Sequence, residues 1–261
     1  MADDAPRAVL LCGHGSREPA TQTEFTAFVG ALARRFKRSA APRLVQGGYL
    51  EFAEPTIAQA LERLYGAGAR RIDALPAMLY AARHVQSDVP KTLREFAADH
   101  RGMTVRFGRE FGLADGILDA AAERIAAAAS PGDSATARRN SLLVVVGRGT
   151  RDEAANATVT SLAERLRDRL GFGQALAGFA GATAPDADAV LAQAAASGCR
   201  RVVVFPFFLF TGVLVRRVQG AVAAAAAAHP AIAFATADYL KDHPRVIDAL
   251  IERLSELDAV P

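Results

Sequence analysis

Two histidines stand where chemistry could be done, and a near-copy of the same sequence has lost both. His14 follows an apolar run in Gly13-His14-Gly15-Ser16-Arg17-Glu18. His84 lies in Ala82-Arg83-His84-Val85, beyond a second apolar run that begins after Gly68-Ala69-Arg70-Arg71-Ile72. Neutral imidazole is the commonest transition-metal ligand and a base near neutral pH. Between them, Tyr49-Leu50-Glu51-Phe52-Ala53-Glu54-Pro55-Thr56 carries two carboxylates. The second half of the chain repeats these segments as Gly147-Arg148-Gly149-Thr150-Arg151-Asp152, as Phe179-Ala180-Gly181-Ala182-Thr183-Ala184-Pro185-Asp186, and as Gly198-Cys199-Arg200-Arg201-Val202 leading to Leu214-Val215. His14 thus pairs with Arg148, His84 with Leu214, Glu51 with Gly181 and Glu54 with Ala184. A duplicated scaffold needs its glycines and strands in both copies, but its reactive groups only where the reaction happens. A His14–Glu51–His84 set could hold a divalent cation with open positions, unlike the closed four-ligand cage of a structural zinc site. Glu54 could instead place negative charge ahead of a helix N-terminus.

The residues around His14 narrow the chemistry. Gly13 and Gly15 would let a ligand approach the backbone, with Ser16 and Arg17 beside it. Gly13-x-Gly15 is not a dinucleotide fingerprint, because Glu18 stands where the third glycine would be. Ser16 has no G-x-S-x-G context. Gly13, not arginine, precedes His14, which argues against a histidine phosphatase. His100, His229 and His243 lie at helix ends or before prolines and read as capping or solvated residues. Cys12 and Cys199 fall in different copies, so neither a disulfide nor a C-x-x-C metal site is expected. Cys12 reads as a small buried hydrophobe, although it lies close to His14.

These side chains require an α/β scaffold. Strands are predicted at 8–12, 44–50, 71–76 and 103–107, and again at 141–146, 175–179, 201–208 and 232–236. Helices are predicted at 21–36, 56–67, 88–99 and 113–129, then at 155–170, 186–196, 213–228 and 245–257. The alternation predicts two similar domains, each a mostly parallel four-stranded sheet flanked by helices. The boundaries expected are 1–129 for a domain carrying the site, 130–140 for a breaker-rich linker, and 141–261 for a domain with a degenerate site. Both histidines would then project from the carboxyl edge of one sheet, where open α/β sheets bind ligands.

Composition sets outer bounds. The chain has 261 residues, 51% hydrophobic and 23% charged, as expected for a globular protein with a real core. No apolar run approaches the roughly 18 residues of a membrane helix, and the polar, acidic start is unlike a secretory signal. A cytoplasmic location and no membrane partner are expected. The net charge of +3 suits an anionic small molecule as well as an Arg-rich chain. No basic run interleaved with aromatics suggests nucleic acid.

Taken together, Gly13-His14-Gly15-Ser16-Arg17, Leu50-Glu51-x-Ala53-Glu54-Pro55 and Ala82-Arg83-His84-Val85 with Asp88-Val89-Pro90 resemble the CbiX/SirB family of sirohydrochlorin chelatases, which are class II chelatases. Gly147-Arg148-Gly149-Thr150, the segment from Pro206 to Leu214, and His243-Pro244 resemble the degenerate second copy of the family's long members. The resemblance implies insertion of a divalent metal into sirohydrochlorin: Co2+ for cobalamin synthesis, or alternatively Fe2+ for siroheme. It implies that His14 and His84 handle the metal, with Glu51 assisting, and that no organic cofactor is used. Arg17 and Arg148 are candidates for pairing with the substrate's carboxylates. A non-enzymatic tetrapyrrole or metal carrier is an alternative that turnover would exclude. A dimerisation module would leave the one-sided loss of His and Glu unexplained. With both lobes in one chain, a monomer is expected.

Overall fold

The computed structural model describes residues 6–80, 83–129 and 134–259, with backbone alone for 83–86. Within it the chain runs β1 (Arg7–Gly13), α1 (Pro19–Lys37), β2 (Leu44–Tyr49), α2 (Ile57–Gly66), β3 (Arg71–Pro76), α3 (Arg83–Asp99), β4 (Thr104–Phe107) and α4 (Asp115–Ala128). A short helix, α5 (Ala135–Arg139), precedes the repeat. The repeat consists of β5 (Leu142–Gly147), α6 (Glu153–Leu170), β6 (Gln174–Phe179), α7 (Ala187–Ala196), β7 (Arg201–Pro206), α8 (Val213–Ala228), β8 (Ala233–Thr236) and α9 (Pro244–Asp258). Among the described residues no helix is long and apolar enough to cross a membrane.

Each repeat forms a four-stranded sheet, in the order β2-β1-β3-β4 and β6-β5-β7-β8. All pairings are parallel. The interiors of the central strands β1, β5 and β7 are apolar because helices cover both faces, whereas β3 carries one buried charge, Asp73. Ala8, Leu10 and Cys12 pack against Ile57, Leu61 and Leu64 of α2 and Val89 and Leu93 of α3. The alternate residues Val9 and Leu11 face the opposite side, by the two-residue period of a strand. In the repeat, Leu142, Val144 and Val146 pack on α7 and α8 through Val190, Leu191, Val218 and Val222.

Two departures from the sequence expectation matter. Helix α3 begins at Arg83 rather than near 88 and carries Pro90 inside it. Proline favours the first helical turn, so Pro90 suggests a later start; here the helix tolerates it at the cost of one N–H bond. The expected 130–140 linker contains α5, whose first turn is capped by Ser134 Oγ accepting from the Ala137 amide, 3.1 Å; residues 130–133 lie outside the described ones.

The packing units also cut across the sequence repeats. One unit comprises Met1–Gly112 with Val246–Pro261, the other Leu113–Arg245. Helix α4 therefore packs on α6 and β7, and α9 serves the first unit. Equivalent arginines secure both helices. Arg124 of α4 donates to the carbonyl of Leu240 at 3.2 Å. Arg253 of α9 donates to the carbonyls of Glu110 and Phe111, at 3.0 and 2.6 Å. Phe111 and Leu240 are themselves equivalent, since their amides donate to Met78 and Phe208 at matching places. Arg253 is only 4% exposed. A buried guanidinium persists only when its donors are met, and Glu256 accepts a further bond at 2.5 Å. The end of α9 is held by Asp258, which accepts from Arg7, Arg43 and Arg106 beside the buried Asp73. Burial pushes the Asp258 carboxyl up, but the bonds from Arg106, Arg7 and Arg43 outweigh it and hold it well below the usual range.

Candidate metal-insertion site

In the first unit the chain steps from β1 outward to β2, then back across β1 to β3. The loops after β1 and β3 thus leave neighbouring strands in opposite directions. That switch point, at the carboxyl ends of the strands, is where such sheets bind ligands. His14 is the first residue after β1, and His84 lies in the first turn of α3, after β3. The side chain of His84 lies outside the described residues.

The loop after β2 is stitched to the loop after β1. The Leu50 amide donates to the carbonyl of Gly13 at 2.9 Å and that of Glu51 to the carbonyl of His14 at 3.0 Å. This backbone pairing brings Oε1 of Glu51 to 3.5 Å from Nδ1 of His14, with the two side chains 45% and 29% exposed. The glycines permit it. Gly15 has φ +101°, and a Cβ there would fall on the carbonyl oxygen of Glu51. A Cβ on Gly13 would lie 3.0 Å from the Phe25 ring and 3.2 Å from that of Tyr49. Ser16 shapes the turn into α1: its Oγ accepts from the Glu18 amide at 3.1 Å, and its carbonyl accepts from the Gln22 side chain at 2.8 Å. Pro19 opens the helix.

The second unit keeps the stitching and drops the chemistry. The Ala180 amide donates to Gly147 and the Gly181 amide to Arg148, each at 2.8 Å. Thr150 Oγ1 accepts from the Asp152 amide, and Asn156 takes the part of Gln22 in donating to the Thr150 carbonyl. Arg148, exposed, stands where His14 does, and Gly181 provides no carboxylate opposite it.

A family model described as CbiX matches residues 8–128 and 142–257. The chain belongs to the CbiX family. It is 28% identical to the sirohydrochlorin cobaltochelatase of Priestia megaterium, over 96% of this chain and 79% of that relative. It is 26% identical to the sirohydrochlorin ferrochelatase of Bacillus subtilis (strain 168), over 97% and 92% of the two chains. The structure of SirB from Bacillus subtilis with Fe3+ superposes with a TM-score of 0.83 at 26% identity, covering 97% of this chain and 96% of SirB.

In this CbiX chain the other sequence candidates fall into place as follows. Glu54 is exposed, ahead of the Thr56 capping box that starts α2. Cys12 is fully buried, and burial pushes its thiol up, away from the reactive thiolate. His100 Nδ1 meets the Phe96 carbonyl at 2.8 Å, ending α3. His229 is the C-cap of α8, and His243 Nδ1 accepts from the Arg245 amide at 3.3 Å. Among the described residues no three His, Cys, Asp or Glu side chains gather in a metal-holding group; His84 falls outside that set.

Sequence reasoning passed over Phe52. Its ring stacks beside His14, with centroids 6.4 Å apart and planes 21° apart. The Arg17 guanidinium lies over it, 4.9 Å from the ring centroid. The signal was available in the repeat comparison, which sets Phe52 against Ala182.

Proposed function

We propose that this chain inserts a divalent metal into sirohydrochlorin, with Co2+ or Fe2+ as the metal substrate. The observation that carries the reading is the His14–Glu51 pair, held by the backbone at the sheet's switch point in one repeat and erased from the other. The named relatives, a cobaltochelatase and a ferrochelatase, support the same substrate class.

Metal insertion must remove two pyrrole N–H protons and deliver a partly dehydrated cation to the ring. A neutral imidazole can accept a proton or hold the cation. His14 and His84 take these parts. Glu51, facing His14 Nδ1, compensates the positive charge that arrives on the ring, whether as proton or as metal. Donors of nitrogen and carboxylate type accept several first-row divalent ions, so supply selects the metal.

The macrocycle carries many carboxylates, and guanidinium groups pair with carboxylates in bidentate fashion. Arg17, which follows Gly13, Gly15 and Ser16 in the loop after β1, serves as one such partner, and Arg148, at the equivalent place in the second repeat, as another. The test is insertion at multiple turnover, followed by the visible spectrum of the product, with Co2+ and Fe2+ supplied separately. Turnover with neither metal would remove the reading, and tight binding without turnover would leave a carrier. In the same assay Arg148→Ala should raise the KM for sirohydrochlorin about fivefold and leave the KM for metal within twofold. An unchanged KM for sirohydrochlorin removes Arg148 from the substrate contacts.

A further inference from the structure

Phe52 is held in a conformation that its counterpart does without. Its φ is +64°, and the residue is 50% exposed. A bulky side chain in the left-handed region is a genuine outlier, and such outliers cluster where a ligand is gripped. Loop closure does not demand it. The loop after β6 runs through the same three amide-to-carbonyl bonds: Phe179 to Pro185, Ala180 to Gly147 and Gly181 to Arg148. These match Tyr49 to Pro55, Leu50 to Gly13 and Glu51 to His14. The same isolated bridges form, Tyr49 with Thr56 and Phe179 with Asp186. Yet Ala182, opposite Phe52, is not among the positive-φ residues. Core packing does not demand it either, since the residue is half exposed. The aromatic ring and the strained backbone therefore occur together in the one copy that also keeps the imidazole and the carboxylate.

We infer that Phe52 is a binding residue for the conjugated face of the tetrapyrrole, an inference that rests on the function proposed above. The ring planes of Phe52 and His14 lie within 21° of each other, so the two offer nearly the same slope to one flat ligand. Aromatic surfaces prefer offset stacking at such separations. The Arg17 guanidinium over Phe52 places a carboxylate partner next to the stacking surface. The phenyl ring sets where the macrocycle rests; His14 then meets the central nitrogens.

The test compares Phe52→Gly and Phe52→Tyr with the parent chain, reading sirohydrochlorin binding from its own absorbance and insertion at steady state. Glycine adopts positive φ without cost, so Phe52→Gly should keep or raise Tm by a few degrees. It should still weaken sirohydrochlorin binding about tenfold and raise that KM alike, with kcat and the KM for metal within twofold. Phe52→Tyr should restore binding to within twofold of the parent. A Phe52→Gly chain that binds as the parent does overturns the inference, as does failure of Phe52→Tyr to rescue. If the parent binds sirohydrochlorin but does not metallate it, the insertion reading fails while the titration still decides Phe52. If the parent does not bind it, both fall.

Discussion

Alanine in place of His14 should lower the rate of metal insertion into sirohydrochlorin about 10²- to 10³-fold, the range expected when a positioned acid–base or metal-holding group is lost. His84→Ala should do the same. The backbone placement of the two residues, after the adjacent strands β1 and β3, is what couples these expectations. The imidazole of His14 is about one-third exposed and packs no core, so its loss should move stability by no more than about 0.5 kcal/mol. Raising the metal concentration separates the roles. If the ring holds the cation, the KM for metal rises and saturating metal recovers much of the rate. If it takes the proton, kcat stays low at every metal concentration. Full activity in both variants would falsify the site.

Gly15→Ala should be nearly as damaging, without removing any reactive atom. The added Cβ would occupy the space of the Glu51 carbonyl oxygen, and φ +101° is strained for any residue but glycine. The loop after β1 and the loop after β2 would have to part, breaking the Glu51-to-His14 backbone bond and with it the His14–Glu51 approach. Insertion should fall at least about 30-fold, with a stability loss of about 2 kcal/mol from the backbone strain and the lost bond. The contrasting variant is Glu51→Gln, which keeps the backbone and removes only the charge. It should retain the parent Tm, whereas Gly15→Ala should not. Equal Tm and equal turnover for Gly15→Ala and the parent would show that the two loops do not depend on each other.

Much of this was readable from residues alone. The strands announce themselves through unbroken apolar runs such as Val144-Val145-Val146, and the repeat exposes which glycines belong to the scaffold. The comparison of copies marks His14, His84, Glu51 and Glu54 as the residues that the second copy lacks. The start of α3 was hidden by Pro90, whose local preference lost to the packing of Val89 and Leu93 on β1. Phe52 was hidden because backbone dihedrals leave no mark on composition; only its mismatch with Ala182 hints at it. The partition of α4 and α9 was hidden for a different reason. An amphipathic pattern says that a helix has a face to bury, not which sheet will receive it. The cue lay in Arg124 and Arg253, a pair of arginines at equal repeat positions on otherwise apolar faces, each seeking carbonyls.

The exchange of helices has a bearing on how the protein is made. As the nascent chain leaves the ribosome, domains generally fold in the order they emerge. Here residues 113–245 have all their segments in hand while the earlier sheet still waits for 246–258. The half that bears His14 must therefore be finished last. Until α9 arrives, the carbonyls of Glu110 and Phe111 lack the guanidinium that meets them in the finished protein. Competence for chemistry would arise only when synthesis has passed the whole of both repeats.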